Sequence, residues 1–345
     1  MKLAILFGGA SYEHEISIVS AITVMEKLPR FELTFVFCDQ DHTFYLIDRG
    51  NMKAKYFASG DYKKAPVLTL MQGGFLQKRR LGATEHVMPV LNLIHGADGE
   101  DGTVASLLAF YGIRFIGPRT DASVLSFDKR ITKWFAAGRG VRTVAYEALH
   151  AGGERTVKTA LPCIVKPSRL GSSIGVSVVK DANALDYALD VAFEFDESVI
   201  VEPFIGGVKE YNLAGYKGAN GIVYSIIEEP QKNEFLDFDK KYLDFARTGE
   251  VGSAAVDPLL EVQLKKAFET LYEGMFEGAL IRCDFFVIDG EVYLNEINPI
   301  PGSMANYLFA DFPAAIADLL AHLPQRRRPK VDYKYIHSIN AAKGK

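Results

Sequence analysis

Residues able to do chemistry gather in a few short stretches of this chain. In Ile281-Arg282-Cys283-Asp284-Phe285-Phe286, strand alternation puts Arg282 and Asp284 on one face. In Leu294-Asn295-Glu296-Ile297-Asn298-Pro299, Glu296 and Asn298 share a face. Asp289-Gly290 between the two runs is a hairpin turn signal, so Asp284, Glu296 and Asn298 are expected to meet. Three oxygen donors with no His or Cys suit a hard divalent cation such as magnesium. Such a cation binds few carboxylates and keeps the rest of its shell for water and phosphate. The bland alternative is a solvated hairpin face.

Anion chemistry is written elsewhere. The stretch Lys166-Pro167-Ser168-Arg169-Leu170-Gly171-Ser172-Ser173-Ile174-Gly175-Val176 delivers a lysine from an apolar strand into a Gly/Ser loop. Backbone N–H groups and hydroxyls of such a loop can wrap phosphate oxygens, with the lysine as a point charge. Near the N-terminus, Gly8-Gly9-Ala10-Ser11 follows a strand and leads into Glu13-His14-Glu15-Ile16-Ser17. Polar groups at the carboxyl end of a first strand stand where open α/β sheets bind ligands, although a tight turn explains the glycines equally well. His95-Gly96-Ala97-Asp98-Gly99-Glu100-Asp101-Gly102 forms a further acidic loop at a strand end. Neither GxxxxGK[ST] nor GxGxxG occurs, which argues against a P-loop and an NAD-type fingerprint.

These loops need elements to hold them. Residues 2–7 read as a buried strand, 15–28 as a helix, 33–38, 42–47, 87–94 and 113–116 as strands, and 103–111 as a helix. This predicts a parallel α/β domain closing at Gly117-Pro118. A helix over 121–137, capped by Asp121 or Ser123 and closed by Gly138, opens a small α+β unit. That unit continues with strands at 144–148, 161–167 and 174–180 and a helix at 182–193. A β-rich unit follows, with strands at 198–205, 210–217, 221–229, 280–288 and 291–297. Helices begin there at Asp257-Pro258 and Asp311-Phe312-Pro313. Residues 230–256 lack periodicity, and a loop that long inside a compact domain is usually functional, often a lid. The division predicted is 1–117, 118–201 and 202–345.

Composition agrees with a globular protein of two or three domains. The chain has 345 residues, 48% hydrophobic and 24% charged, with a formal net charge of −4. A basic nucleic-acid surface is not expected. Cys38, Cys163 and Cys283 lie far apart in apolar runs, so reduced buried thiols are expected rather than disulfides or zinc. There is no signal-peptide pattern and no apolar window of membrane-spanning length, so a cytoplasmic protein is expected.

Taken together and in order, the motifs resemble the D-alanine–D-alanine ligase family of the ATP-grasp superfamily. The signatures are Phe7-Gly8-Gly9 with 13–17, HGxxGEDG at 95–102, Asp128-Lys129, Val165 to Arg169 with Gly171 to Gly175, Lys241-Tyr242, Arg282-x-Asp284-Phe285, and 295–298 with Pro301-Gly302. The resemblance implies a mixed α/β and α+β, three-domain ATP-grasp fold with ATP between the central and C-terminal domains. It implies that Lys129 and Lys166 contact ATP phosphates, and that Ser173, Glu202, Phe204, Ile205 and Glu210 complete the nucleotide site. Asp284, Glu296 and Asn298 would hold two magnesium or manganese ions, and Lys241 would close over the γ-phosphate. Glu15 would bind the ammonium of the first D-alanine in a hydrogen-bonded set with Ser172 and Tyr242. Arg282 and the Gly302 N–H would face the oxyanion, and His95, Tyr307 and Leu308 would line the substrate pocket. The implied reaction joins two D-alanines through D-alanyl phosphate, for peptidoglycan precursor synthesis, in a cytoplasmic homodimer. Three positions depart from the usual family pattern: Ala105, Pro203 and Tyr307, the last where a Ser often serves the second substrate. The alternatives are a D-alanine–D-lactate or D-serine ligase, against which Tyr242 argues, and a non-catalytic ATP-binding regulator.

Overall fold

The computed structural model describes residues 1–230, 252–325 and 329–343. Strand β1 (Lys2–Gly8) is buried from Leu3 onward, as a run of Leu, Ala, Ile, Leu and Phe requires of a strand covered on both faces. It pairs in parallel with β2 (Glu32–Cys38) and β7 (Val90–Asn92), and β7 pairs in parallel with β8 (Phe115–Ile116). Helix His14–Lys27 connects β1 to β2 and buries Ile18, Ala21 and Val24 against one face of the sheet.

The wholly parallel domain expected from the sequence is only half of this sheet. Beyond β2, strands β3 (Phe44–Ile47), β4 (Val67–Met71), β5 (Gly74–Lys78) and β6 (Ala83–His86) form an antiparallel meander. Sequence reading assigns no element to 67–86. Those strands have four or five residues and mixed burial. Their turn residues Gly73 and Gly82, at φ 84° and 88°, are the only strong local signal.

The helix expected over 121–137 is two helices, Thr120–Phe127 and Lys129–Gly138. Asp128 between them is extended (φ −91°, ψ 111°), and its carboxylate accepts the Arg130 N–H at 2.9 Å. An aspartate offered its own backbone partner starts a new helix rather than continuing the old one. Neither Asp121 nor Ser123 is the N-cap of the first helix; Arg119 occupies that position with no side-chain bond.

Four strands, in the order β10 (Glu147–His150), β13 (Ser198–Pro203), β11 (Cys163–Pro167), β12 (Ser177–Val179), make the second sheet, backed by helix Leu185–Phe193. The third sheet runs β15 (Gly221–Glu228), β14 (Lys209–Gly218), β16 (Leu280–Ile288), β17 (Glu291–Asn298), β9 (Arg142–Thr143). Helix Pro258–Tyr272 packs on it, N-capped by Asp257 as the sequence suggests. The three sheets do not follow the lines drawn from sequence. Strand β9 joins the third sheet, while Ala122 and Ala136 of the two helices before it pack into that sheet's core. Residues 300–323 return to the first sheet, where Ile300, Met304, Phe312, Ile316 and Leu319 share a core with Leu3, Ile5 and Phe7. The three cysteines are buried and free. Among the described residues no helix is long and apolar enough to cross a membrane.

Candidate active site

The β16–β17 hairpin turns at Asp289-Gly290, both with positive φ (52° and 80°). Its register sets Arg282 opposite Asn298 and Asp284 opposite Glu296. Arg282 forks onto Asp284 with Nε–Oδ1 at 2.7 Å and Nη2–Oδ2 at 2.8 Å. The Asn298 side-chain amide donates to Asp284 Oδ2 at 3.0 Å. Burial pushes the Asp284 carboxyl up, while the Arg282 charge pulls it down; the net direction is upward.

A cavity of about 280 Å³ opens over this face. It is lined by Arg282, Asp284, Glu296, Asn298, Glu210, Gly302 and Tyr307 from the third sheet and the loop after it. His95, Glu100, Glu13, Gly171 and Ser172 close it from the other sheets. Arg282 Nη1 lies 3.5 Å from the Tyr307 hydroxyl.

Glu13, rather than Glu15, reaches this cavity. Glu13 is the N-cap residue of the first helix and is 5% exposed. Ser172 Oγ donates to its Oε1 at 2.5 Å, whereas its buried Oε2 has no hydrogen-bond partner among the described residues. Glu15, two residues on, is exposed and lies outside the cavity lining. At about 100° per residue, positions i and i+2 of a helix point to nearly opposite sides, so one helix start cannot present both acids to one cavity. Burial, then Glu100, raises the Glu13 carboxyl, against the Ser172 bond and the charges of His95 and Lys129. Glycines crowd close to this carboxylate. A Cβ on Gly96 (φ +72°) would stand 2.8 Å from Oε2, and one on Gly171 would stand 3.0 Å from Oε1.

The Gly/Ser loop is tied down at its start. Arg169 N–H donates to Asp196 Oδ2 at 2.7 Å, and its guanidinium reaches Asp196 Oδ1 at 2.6 Å. Ser172 and Ser173 are left-handed (φ 55° and 57°), which costs a non-glycine residue about 1–2 kcal/mol. Lys129 N–H bonds the Ser168 carbonyl at 3.0 Å and its ammonium the Leu170 carbonyl at 2.6 Å. Burial lowers the Lys129 ammonium pKa.

Lys166 on β11 meets Glu202 on β13 at 2.7 Å. Lys133, which sequence reading misses, meets the other oxygen of the same carboxylate at 2.6 Å and is only 4% exposed. Burial would raise Glu202, but the two ammoniums outweigh it and hold it below the usual carboxylate range. Phe204 and Ile205 follow directly, with Phe204 N–H on the Pro162 carbonyl at 2.9 Å. Asn212 and Glu228, also missed, share a 3.0 Å bond in the cavity wall beside Asp284.

His95 Nδ1 lies 3.4 Å from Glu100. Burial drives His95 down to about 4 and Glu100 up to about 8. Ser173 is exposed beside the cavity. Leu308 does not line it; its side chain is 1% exposed in the first core, because the turn before it points it inward. Lys241 and Tyr242 lie outside the described residues. A larger cleft of about 900 Å³, lined by Ser11, Tyr12, Leu170 and Phe195 among others, contains none of the predicted site residues.

Among the described residues no three His, Cys, Asp or Glu side chains cluster as a metal site. Asp284, Glu296 and Asn298 offer two carboxylates and an amide, which suits a cation whose remaining ligands arrive with a phosphate-bearing substrate.

Two mixed sheets and an antiparallel one, buried lysines around a Gly/Ser loop and an acidic hairpin define an ATP-grasp architecture. Comparison with known proteins names the family. Residues 2–118 match the model of the D-ala D-ala ligase N-terminus and residues 140–317 that of the D-ala D-ala ligase C-terminus. The D-alanine–D-alanine ligase of Sulfurimonas denitrificans is 63% identical over all of both chains. The crystal structure of the Helicobacter pylori D-alanine–D-alanine ligase superposes with a TM-score of 0.85 at 49% identity, covering 95% of this chain and 100% of that one. The VanG D-Ala:D-Ser ligase of Enterococcus faecalis shares the fold (TM-score 0.70, 24% identity, covering 93% of this chain and 97% of that one). The chain belongs to the D-alanine–D-alanine ligase family.

Proposed function

We propose that the protein joins two molecules of D-alanine to D-alanyl-D-alanine at the expense of ATP, through a D-alanyl phosphate, for peptidoglycan precursor synthesis. The observation that carries this reading is the buried Glu13 Oε2, which lacks a partner among the described residues in a cavity shared with Arg282 and Gly302. An uncompensated buried carboxylate is costly, and a substrate ammonium satisfies it.

Glu13, oriented by Ser172, binds the first ammonium in place of Glu15. Lys129 and Lys166 neutralise ATP phosphates, Ser173 adds a loop donor, and Glu202, Phe204, Ile205 and Glu210 take the base and ribose. Asp284, Glu296 and Asn298 would hold magnesium or manganese, two ions, which supply charge neutralisation at the transferring phosphoryl group. The first carboxylate attacks the γ-phosphate and ADP leaves. The second amine, deprotonated, then attacks the acyl carbon and phosphate leaves. Arg282 and the Gly302 N–H stabilise the oxyanion of that second step, while His95 and Tyr307 border the second substrate. Acyl phosphates hydrolyse readily, so the 230–256 segment with Lys241 and Tyr242 is assigned as the lid. By function the chain divides into 1–117, which binds substrate, 118–201, which binds ATP, and 202–345, which binds ATP and metal, carries the lid and completes the substrate site with Arg282, Gly302 and Tyr307. A cytoplasmic homodimer completes the reading.

The test is stoichiometry. ATP, magnesium and D-alanine should yield one ADP, one phosphate and one D-alanyl-D-alanine per turnover. ADP released without dipeptide would sink the reading.

A further inference from the structure

Behind Gly302 the chain makes a turn that its sequence does not favour. Ser303, Met304 and Ala305 are all left-handed (φ 47°, 56° and 48°), and none is glycine. A run of that kind persists only where its surroundings over-determine it. Two of its restraints are local: Met304 N–H donates to the Pro301 carbonyl at 2.7 Å, and the Asn306 side-chain amide to the Ser303 carbonyl at 3.0 Å. A third comes from another element. Ser303 N–H donates to Ser20 Oγ at 2.8 Å, across 283 positions of sequence.

Ser20 lies on helix His14–Lys27 and is fully buried, at 0% exposure. The same helix is pinned to the first sheet by Ser17, one turn earlier on the same face. Ser17 Oγ accepts from Gly8 N–H at 2.8 Å and donates to the Leu93 carbonyl at 2.6 Å. Glu13 stands at the helix's N-terminus. One rigid helix therefore carries the ammonium-facing carboxylate at its start, a sheet anchor at Ser17 and a loop anchor at Ser20.

We propose that Ser20 is a positioning residue for the second chemical step. By accepting the Ser303 N–H it fixes the peptide next to Gly302, so that the Gly302 N–H is aimed where the oxyanion develops and in register with Glu13. The proposal rests on the reading of the site given above. Its logic is that an oxyanion donor acts through preorganisation, and that small misplacements of such a donor are felt in the transition state more than in the ground state.

The experiment compares Ser20→Ala, which removes the acceptor, with Ser20→Cys, which keeps the volume but accepts poorly, and Ser20→Thr, which restores a hydroxyl. Readouts are kcat, the KM values for ATP and D-alanine, and the affinity of a phosphinate analogue of the tetrahedral adduct. Ser20→Ala and Ser20→Cys should lower kcat by about 10–100-fold, somewhat below the loss of a whole oxyanion donor, with both KM values within about threefold. Phosphinate affinity should weaken in parallel with kcat/KM, and Ser20→Thr should recover most of both. If Ser20→Ala folds poorly, Ser20→Cys carries the test. An active wild type whose Ser20→Cys variant keeps its kcat and phosphinate affinity overturns the proposal alone. So does a variant whose activity falls only in step with its folded fraction. A wild type that releases no ADP with D-alanine overturns the reading of the site itself.

Discussion

At the scale of single residues, the site turns on which acid of Glu13-His14-Glu15 faces inward. Glu13 is buried against Ser172 and Glu15 is exposed. Glu13→Gln should therefore lower kcat/KM for D-alanine by roughly 10²-fold, the scale of losing one charged partner in a buried site, while Glu15→Gln should change it by less than about threefold. Steady-state kinetics on the two variants decides it, and the opposite ranking would return the role to Glu15. Glu100 gives a second test at this scale. Burial raises its carboxyl to about 8. Between the ordinary glutamate range and that value, the folded chain holds a proton the unfolded chain has lost. Its contribution to stability is therefore present at low pH and is lost as pH rises through the folded value. Glu100→Gln, which stays neutral, should gain in melting temperature relative to the wild type as pH is raised from about 5 to about 9. A gap that does not change with pH would contradict the assignment.

Elements explain what could be read from sequence and what could not. Helix Pro258–Tyr272 begins at its Asp-Pro signal, and the β16–β17 hairpin turns at Asp289-Gly290, because both signals act locally. The acids and amide of that hairpin meet for the same reason. Sequence points to Glu15 while the structure turns Glu13 into the cavity, because a helix start is uncertain by a residue or two from sequence and one residue rotates the face. Lys133 is missed because a lysine on an amphipathic helix normally reads as solvent-facing, whereas this one is buried on Glu202. The left-handed turn after Gly302 leaves no trace in Ser-Met-Ala, since long-range packing and Ser20 hold it. Asp128 illustrates the middle case: its type permits a helix start, but only the structure shows the break. Asp128→Ala should cost about 1 kcal/mol or more of stability through the lost cap. It should also weaken ATP binding, because Lys129 is the first residue of the helix that Asp128 starts. Denaturant unfolding and ATP titration check both, and an unchanged ATP affinity would detach Lys129 from the nucleotide site.

Across the whole molecule, the net charge of −4 averages over a site that uses both signs. Lys133 and Lys166 pair with Glu202 of the second sheet, while one cavity gathers acids of the first and third sheets beside Arg282, from residues spread between Glu13 and Tyr307. Such a site should link ligand binding to global stability. Saturating magnesium and ATP should raise the melting point, by an amount equivalent to about 2.7 kcal/mol at a hundredfold excess over Kd, and EDTA should abolish most of that gain. A melting point indifferent to both would contradict the shared site. The VanG D-Ala:D-Ser ligase shares this fold, so fold alone does not choose the second substrate. The most direct measurement is therefore ADP release by the purified protein with D-alanine, L-alanine, D-serine and D-lactate in turn. Robust release is expected with D-alanine, dependent on Glu13 and Glu296, and little with the others. Release driven by L-alanine, or by D-lactate in preference to D-alanine, or none with D-alanine, would contradict it.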